Sequence, residues 1–490
     1  MRRAPVARIL LPALLPLLIV AAPASGQALP PRKAPPAPAV DSVTRPFTGD
    51  LDAMIKRRLI RVLTTYSRTH YFIDRGTPRG ITYDAMRKFE DELNAKLKTR
   101  HLRVQVVFVP VSRDELLPGL VEGRGDVAMA SLTVTPEREK LVDFTVPTAT
   151  DVSEIVVTGP RSPALATLDD LAGKQVVVRK SSSYHESLLA LNERLRSEGK
   201  REVVLKLAPE TLESEDLLEM VNAGLVKIVV VDSYLARFWK QVFPNIVLHD
   251  DIAVRTGARL GLAIRKGSPK LRAALDDFVR RNAVRTNFGN QLFQRYLKST
   301  KFVKSATADT DMKRFERMVE LFRKYGDRYQ LDTLLMIAQG YQESTLDQSK
   351  RSRVGAIGVM QVMPATGKEL AVGDIRQLEP NIHAGVKYIR FMIDQYLADE
   401  PMDALNRELF AFAAYNAGPG RVRQLRTEAK RRGLDPNTWF NHVERIAAER
   451  IGRETVQYVS NIYKYYVAYS LVAEEAAERE QAKESLGTSP

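Results

Sequence analysis

Residues 342–366 read QESTLDQSKRSRVGAIGVMQVMPAT, and they follow the apolar positions Leu334, Leu335, Ile337, Ala338 and Tyr341. Those positions recur at helical spacing. Glu343 therefore falls at the end of an apolar helix, and Ser344 and Thr345 favour a turn after it. A carboxyl placed there is shielded from water. Desolvation disfavours its charged form and raises its pKa, which is what a general acid at neutral pH needs. Gly355, Gly358, Met360, Gln361 and Pro364 then make a compact loop with little side-chain bulk. Asp347 is the nearest second carboxylate, and turn propensity assigns it to capping or solvent.

Outward from this segment the chain is helical. Phe315, Met318, Val319 and Phe322 share one helical face, and 384–397, 408–415 and 455–472 read the same way. The spacing predicts an all-α domain over 305–472, with a polar, frayed tail over 473–490. Toward the N-terminus the pattern changes. Short β-type runs at 59–63, 104–109, 127–132, 174–178, 203–207, 228–231 and 260–264 alternate with helical stretches at 83–97 and 113–122. Alternation of this kind predicts α/β layers with mostly parallel strands over 47–300. Arg2, Arg3 and Arg8 precede an apolar stretch from Ile9 to Ala22 and the small residues to Gly26, the order of a signal peptide over 1–26. An uncleaved anchor is the alternative. Residues 27–46 read as a proline-rich linker.

Composition narrows the function classes. The 490 residues include no cysteine. That excludes disulfides, thiol nucleophiles, zinc–cysteine sites, iron–sulfur clusters and a cysteine-linked lipid anchor. The net charge of +15 divides into +4 in the first 50 residues, +9 in 51–300 and +2 in 301–490. No segment carries the one-sided basic stripe of a nucleic-acid-tracking face, so no nucleic-acid partner is expected. The cluster Arg421, Arg423, Arg426, Lys430, Arg431 and Arg432 reads as a solvated helix face, with an acidic polymer as the alternative partner.

Four blocks in order carry a resemblance: Glu343-Ser344, Gly358-Val359-Met360-Gln361, Ala414-Tyr415-Asn416 and Tyr458 in ETVQYV. As a set they resemble the lytic transglycosylases with a goose-lysozyme-like fold, over about residues 310–470. Val359 stands where that family usually has Leu. The resemblance implies cleavage of the β-1,4 bond between N-acetylmuramic acid and N-acetylglucosamine in peptidoglycan glycan strands, with 1,6-anhydromuramoyl ends. It makes Glu343 the single catalytic acid and base. Ser344 orients it, Met360, Gln361, Tyr415 and Asn416 line the sugar cleft, Tyr458 hydrogen-bonds near the acid or the substrate's acetamido group, and all six are expected to contact substrate. No cofactor and no metal are implied.

A second resemblance runs over about 50–300. Residues 123–147, GRGDVAMASLTVTPEREKLVDFTVP, with Ser181-Ser182-Ser183 and Val231-Asp232, resemble family 3 periplasmic solute-binding proteins. It implies a two-lobed fold, with lobes of 50–150 plus 255–300 and of 151–254. Arg138 would grip a ligand carboxylate, Thr133 would add a hydroxyl, Asp232 would meet an ammonium, and Ser182 would also contact the ligand. Ser131 and Ser181 stand where glycine is common. Fusion of this binder to this enzyme resembles the membrane-bound lytic murein transglycosylase F family. It implies a periplasmic lyase, peripheral at the outer membrane, gated by an amino acid or muropeptide effector. Two alternatives stay open: a lysozyme-type hydrolase of the same bond, and a binding or scaffold protein with an idle catalytic domain.

Overall fold

The computed structural model describes residues 43, 45–160, 162–300, 309–398 and 400–487. The expected signal peptide and nearly all of the proline-rich linker lie outside the described residues. Strands β1 (Leu59–Thr64), β4 (Gln105–Pro110) and β5 (Val127–Thr133) form a parallel set in which β1 is central. β1 and β4 each bury five of their six residues, as continuous apolar runs in parallel sheets do. A short hairpin, β2 (Phe72–Asp74) and β3 (Thr77–Arg79), precedes the helix Ile81–Lys96. This is lobe one. Lobe two holds β8 (Gln175–Arg179), β9 (Val204–Ala208) and β10 (Ile228–Asp232), again parallel.

β7 (Ala149–Thr158) carries the chain from lobe one to lobe two, and β11 (Val247–Arg265) carries it back. β11 pairs antiparallel with β7 along its first part, and with β5 and β6 (Val142–Phe144) along its last. The sheet order is β4-β1-β5-β11-β7-β10-β8-β9, with β6 beside β11. The expectation of mostly parallel strands is thus corrected. Among the described residues the pairings of this sheet are four parallel and four antiparallel. Two crossings in opposite directions impose the antiparallel pairs. The sequence reading found only 260–264 of β11, because the half nearer lobe two is polar and partly exposed.

Helices Asp309–Tyr329, Thr333–Ser344, Leu378–Tyr396, Ala404–Ala417, Pro419–Arg431 and Arg453–Gly487 make up most of the second half. Thr333–Ser344 lies at its centre and buries eight of its twelve residues. Asp332 starts it, accepting from the N–H groups of Leu334 and Leu335 at 2.8 and 3.1 Å, which satisfies donors the helix leaves open. Thr345 ends it in the left-handed region at φ 59°.

The tail expected to fray is helical instead. Arg453–Gly487 is one helix, and Lys483 near its end lies 3.1 Å from Asp216 and 3.5 Å from Glu219 of lobe two. Ala482 packs on the core of that lobe. These contacts hold in place a segment whose composition alone suggested solvent. The same helix meets lobe one through Lys464, whose Nζ donates to both oxygens of Glu90 at 3.0 and 2.9 Å. Tyr469 donates to the Gly76 carbonyl at 2.6 Å, and Tyr341 to Thr77 at 3.2 Å. Lobe one therefore rests on the two helices that carry Glu343 and Tyr458.

Candidate active site

Glu343 occupies the last turn of Thr333–Ser344 and is half-buried. Burial pushes its carboxyl up to about 7, against smaller downward effects from Tyr458 and Lys350. Among the described residues no second carboxylate contributes to that shift. Tyr458 donates its hydroxyl proton to Glu343 Oε1 at 2.5 Å. This leaves Oε2 to carry the acid's own proton. Gln339, one turn before Glu343 and fully buried, donates to the Tyr458 hydroxyl at 3.4 Å and turns that hydroxyl toward the acid.

The loop 358–361 is fastened from three sides. Asn381 accepts from the Met360 N–H at 2.9 Å and donates to the Ile357 carbonyl at 2.8 Å. Tyr415 donates to the Met360 carbonyl at 2.7 Å. Gly358 has φ 77°, and a Cβ there would sit 2.6 Å from both Asn381 Nδ2 and Gln348 Oε1. Only glycine suits that conformation and that space. Gln361 turns back on the loop, donating to the Gly358 carbonyl at 2.8 Å.

The structure brings Glu343, Tyr458 and Tyr415 together. Burial first, and then the Glu343 charge, hold the Tyr415 hydroxyl well above its usual range. Asn416 is exposed at the end of its helix and accepts from Thr455 at 2.7 Å. Two expectations change. Ser344 is completely buried, and its hydroxyl donates to the Val359 carbonyl at 2.9 Å and accepts from the Asp347 N–H at 3.0 Å. It ties the acid's helix to the loop and has no face for a sugar. The Met360 side chain is also fully buried, packed on Gly385. Only its backbone shapes the cleft. Asp347 accepts from the N–H and hydroxyl of Ser349 at 2.8 and 2.7 Å, capping the turn.

Gln339 and Asn381 escaped the sequence reading. Gln339 carried a signal, a polar residue four before Glu343 on an apolar helix. Asn381, in a helix's first turn, carried none. The basic cluster is partly neutralised: Arg431 and Arg432 each lie 2.7 Å from Glu428, and Arg426 lies 2.8 Å from Glu400.

The four residues expected to hold a solute gather between the lobes, and the chain's own groups engage them. Arg138 Nη1 donates to the Thr133 carbonyl at 3.0 Å, Nη2 to the Ser181 carbonyl at 2.8 Å, and Nε lies 3.4 Å from Glu186. The Thr133 hydroxyl accepts from Ser183 at 3.2 Å. Ser182 is the N-cap of the helix Ser183–Ser197, accepting from the His185 N–H at 3.2 Å. Asp232 is buried, Oδ1 has no partner, and burial and then Glu154 push its carboxyl up to about 7. Ser131 has φ 52°, the conformation that favours glycine, and its hydroxyl meets His70 Nε2 at 2.8 Å.

Residues 60–298 match the family described as bacterial extracellular solute-binding proteins, family 3, and residues 320–437 match the transglycosylase SLT domain. The chain is 30% identical to the membrane-bound lytic murein transglycosylase F of Desulfosudis oleivorans, over 83% of this chain and 89% of that protein. It is 28% identical to the protein of the same name from Ectopseudomonas mendocina, over 87% of each chain. Among solved structures, an ancestral amino acid-binding protein, a precursor of cyclohexadienyl dehydratase, is similar at 25% identity and a TM-score of 0.42, over 51% of this chain and 99% of that one. A solute-binding half, a transglycosylase half bearing a shielded carboxyl, and a relative matched along 89% of its length agree: the chain belongs to the membrane-bound lytic murein transglycosylase F family.

Proposed function

We propose that this lytic murein transglycosylase cleaves the β-1,4 bond between N-acetylmuramic acid and N-acetylglucosamine with Glu343 as its single acid and base. The observation that carries this is the half-buried Glu343 carboxyl, raised to about 7 and held by Tyr458. Glu343 Oε2 gives its proton to the glycosidic oxygen as the bond to the anomeric carbon breaks. The substrate's acetamido carbonyl stabilises the electron-poor anomeric carbon. Tyr458 steadies the carboxylate so formed, and Tyr415 and the loop 358–361 border the cleft. The carboxylate then takes the proton of the muramic 6-hydroxyl, whose oxygen closes on the anomeric carbon as a 1,6-anhydro ring. Glycosidases that hydrolyse usually need a second carboxylate to activate water or attack the sugar. Mass spectrometry of digested peptidoglycan checks the outcome: anhydro ends are expected, and reducing ends alone would make the enzyme a hydrolase. Glu343→Gln should abolish both.

The reading extends to regulation by a small solute in the first half, an amino acid or muropeptide. Its support is the helix Arg453–Gly487, which carries Tyr458, meets lobe one at Glu90 and meets lobe two at Asp216. A change in the angle between lobes would load that helix at two points. A ligand acts this way only if it binds the two arrangements with different affinity. Turnover measured with and without amino acids and muropeptides tests this. The periplasm, where the substrate lies, is the proposed location. Among the described residues no helix is long and apolar enough to cross a membrane, so the proposed attachment is peripheral at the outer membrane or through the N-terminal apolar stretch.

A further inference from the structure

The chain's own Arg113 bridges the two lobes. It leaves lobe one just after β4, and its guanidinium reaches into lobe two. Nε donates to Glu213 Oε1 at 3.0 Å and Nη2 to Glu213 Oε2 at 2.8 Å, while Nη1 donates to the Ala130 carbonyl of lobe one at 3.1 Å. This planar, bidentate arrangement is how a protein recognises a guanidinium group. Glu213 is buried and also lies 3.8 Å from Arg179. Burial acts to raise its carboxyl, but Arg113 and then Arg179 outweigh burial and hold it well below the usual range. The gap bordered by Thr65, Tyr66, Val111, Arg113, Glu210 and Glu213 leaves no room for a water molecule.

Other groups close on the same place. Arg138 reaches Ser181 across the lobes, Ser183 reaches Thr133, and the Arg68 N–H donates to Glu215 at 2.8 Å. A solute entering here must replace these bonds. The Arg113–Glu213 pair is the one whose chemistry names a ligand class.

We infer that Glu213 and the Ala130 carbonyl form a guanidinium-binding subsite in the interlobe cleft, that Arg113 of the same chain is its occupant, and that a guanidinium-bearing solute binds there once Arg113 is removed. The inference shares with the proposed regulation the reading of the two lobes as a solute-binding device, but it concerns only what fills this subsite.

The test uses the full chain with Arg113→Met, because Glu213 also caps the helix Ser214–Asn222 and its replacement would disturb more than the pair. Loss of one partner of a buried ion pair should lower the melting temperature by roughly 5 °C or more. Agmatine or methylguanidinium at low millimolar concentration should restore most of that loss, and butylamine should not. By calorimetric titration, agmatine should bind the variant at least tenfold more tightly than the parent. Arg113→Lys, which keeps the charge but not the fork, should fall between and serves if the methionine variant does not fold. Absence of guanidinium rescue, whether or not the melting temperature falls, or equal agmatine affinity in parent and variant, overturns the inference. Rescue of the variant in a chain whose turnover responds to no amino acid or muropeptide upholds the subsite and removes the regulatory reading alone.

Discussion

Glu343→Gln should leave the fold intact, abolish activity and make the protein more stable at alkaline pH. Gln keeps the shape and can still accept from Tyr458, but it cannot ionise. In the folded chain burial raises the carboxyl from 4.5 to about 7. Between those values the folded state holds a proton that the unfolded state has released, so stability falls as pH rises through that window. The loss is absent below about 4.5 and complete above about 7. At about 1.4 kcal/mol per pKa step it amounts to roughly 3 kcal/mol. The chain has two tryptophans, and Trp439 lies in the helical half. Urea unfolding followed by Trp439 emission, in a Trp239→Phe background for both chains, isolates that half. The two proteins should unfold together at pH 4.5, and the Gln variant should be the more stable by roughly 3 kcal/mol at pH 8.5. Parallel stabilities across that range would refute the shielded acid, and with it the origin of its proton at neutral pH.

Four further outcomes follow from the same geometry. Tyr458→Phe removes a bond that favours the carboxylate, so the alkaline limb of the pH–rate profile should move upward from about 7 while turnover falls by about tenfold, read from a pH series on purified peptidoglycan. Lys464→Met leaves the buried Glu90 to Arg87 and the Val106 N–H, and thermal unfolding should show roughly 1.5–3 kcal/mol of destabilisation, the range for a lost charge-assisted hydrogen bond. Burial lowers the Lys464 ammonium to about 8, so this bond between lobe one and the catalytic half should weaken as pH rises past 8, seen as increased amide exchange at Gly76 and Tyr469. Gly358→Ala should break the loop, costing most of the activity, because the added carbon meets Asn381 and Gln348 at 2.6 Å and cannot relax from φ 77°.

Local sequence carried much of what this protein is. An apolar helix ending at Glu343 is a property of residues 333–344, since period and turn chemistry act over a few residues. The desolvated acid, the glycine loop and the short parallel strands were legible for the same reason. Antiparallel β7 and the polar half of β11 were not, because their pairing partners lie far along the chain and their patterns are broken by exposure. Residues named for ligand contact fared unevenly. Glu343, Tyr415 and Tyr458 converge, while Ser344, Met360 and Ser182 spend their polar or apolar groups on the frame. A motif marks a position as constrained without saying which neighbour constrains it. Tertiary structure alone decided that Gln339 aims Tyr458 at the acid and that Asn381 fastens the loop. It also decided that Arg113 reaches Glu213 across the lobes and that a glutamate-rich tail becomes helix against lobe two. Each of these depends on groups distant in sequence meeting where water is excluded, and no local pattern encodes such a meeting.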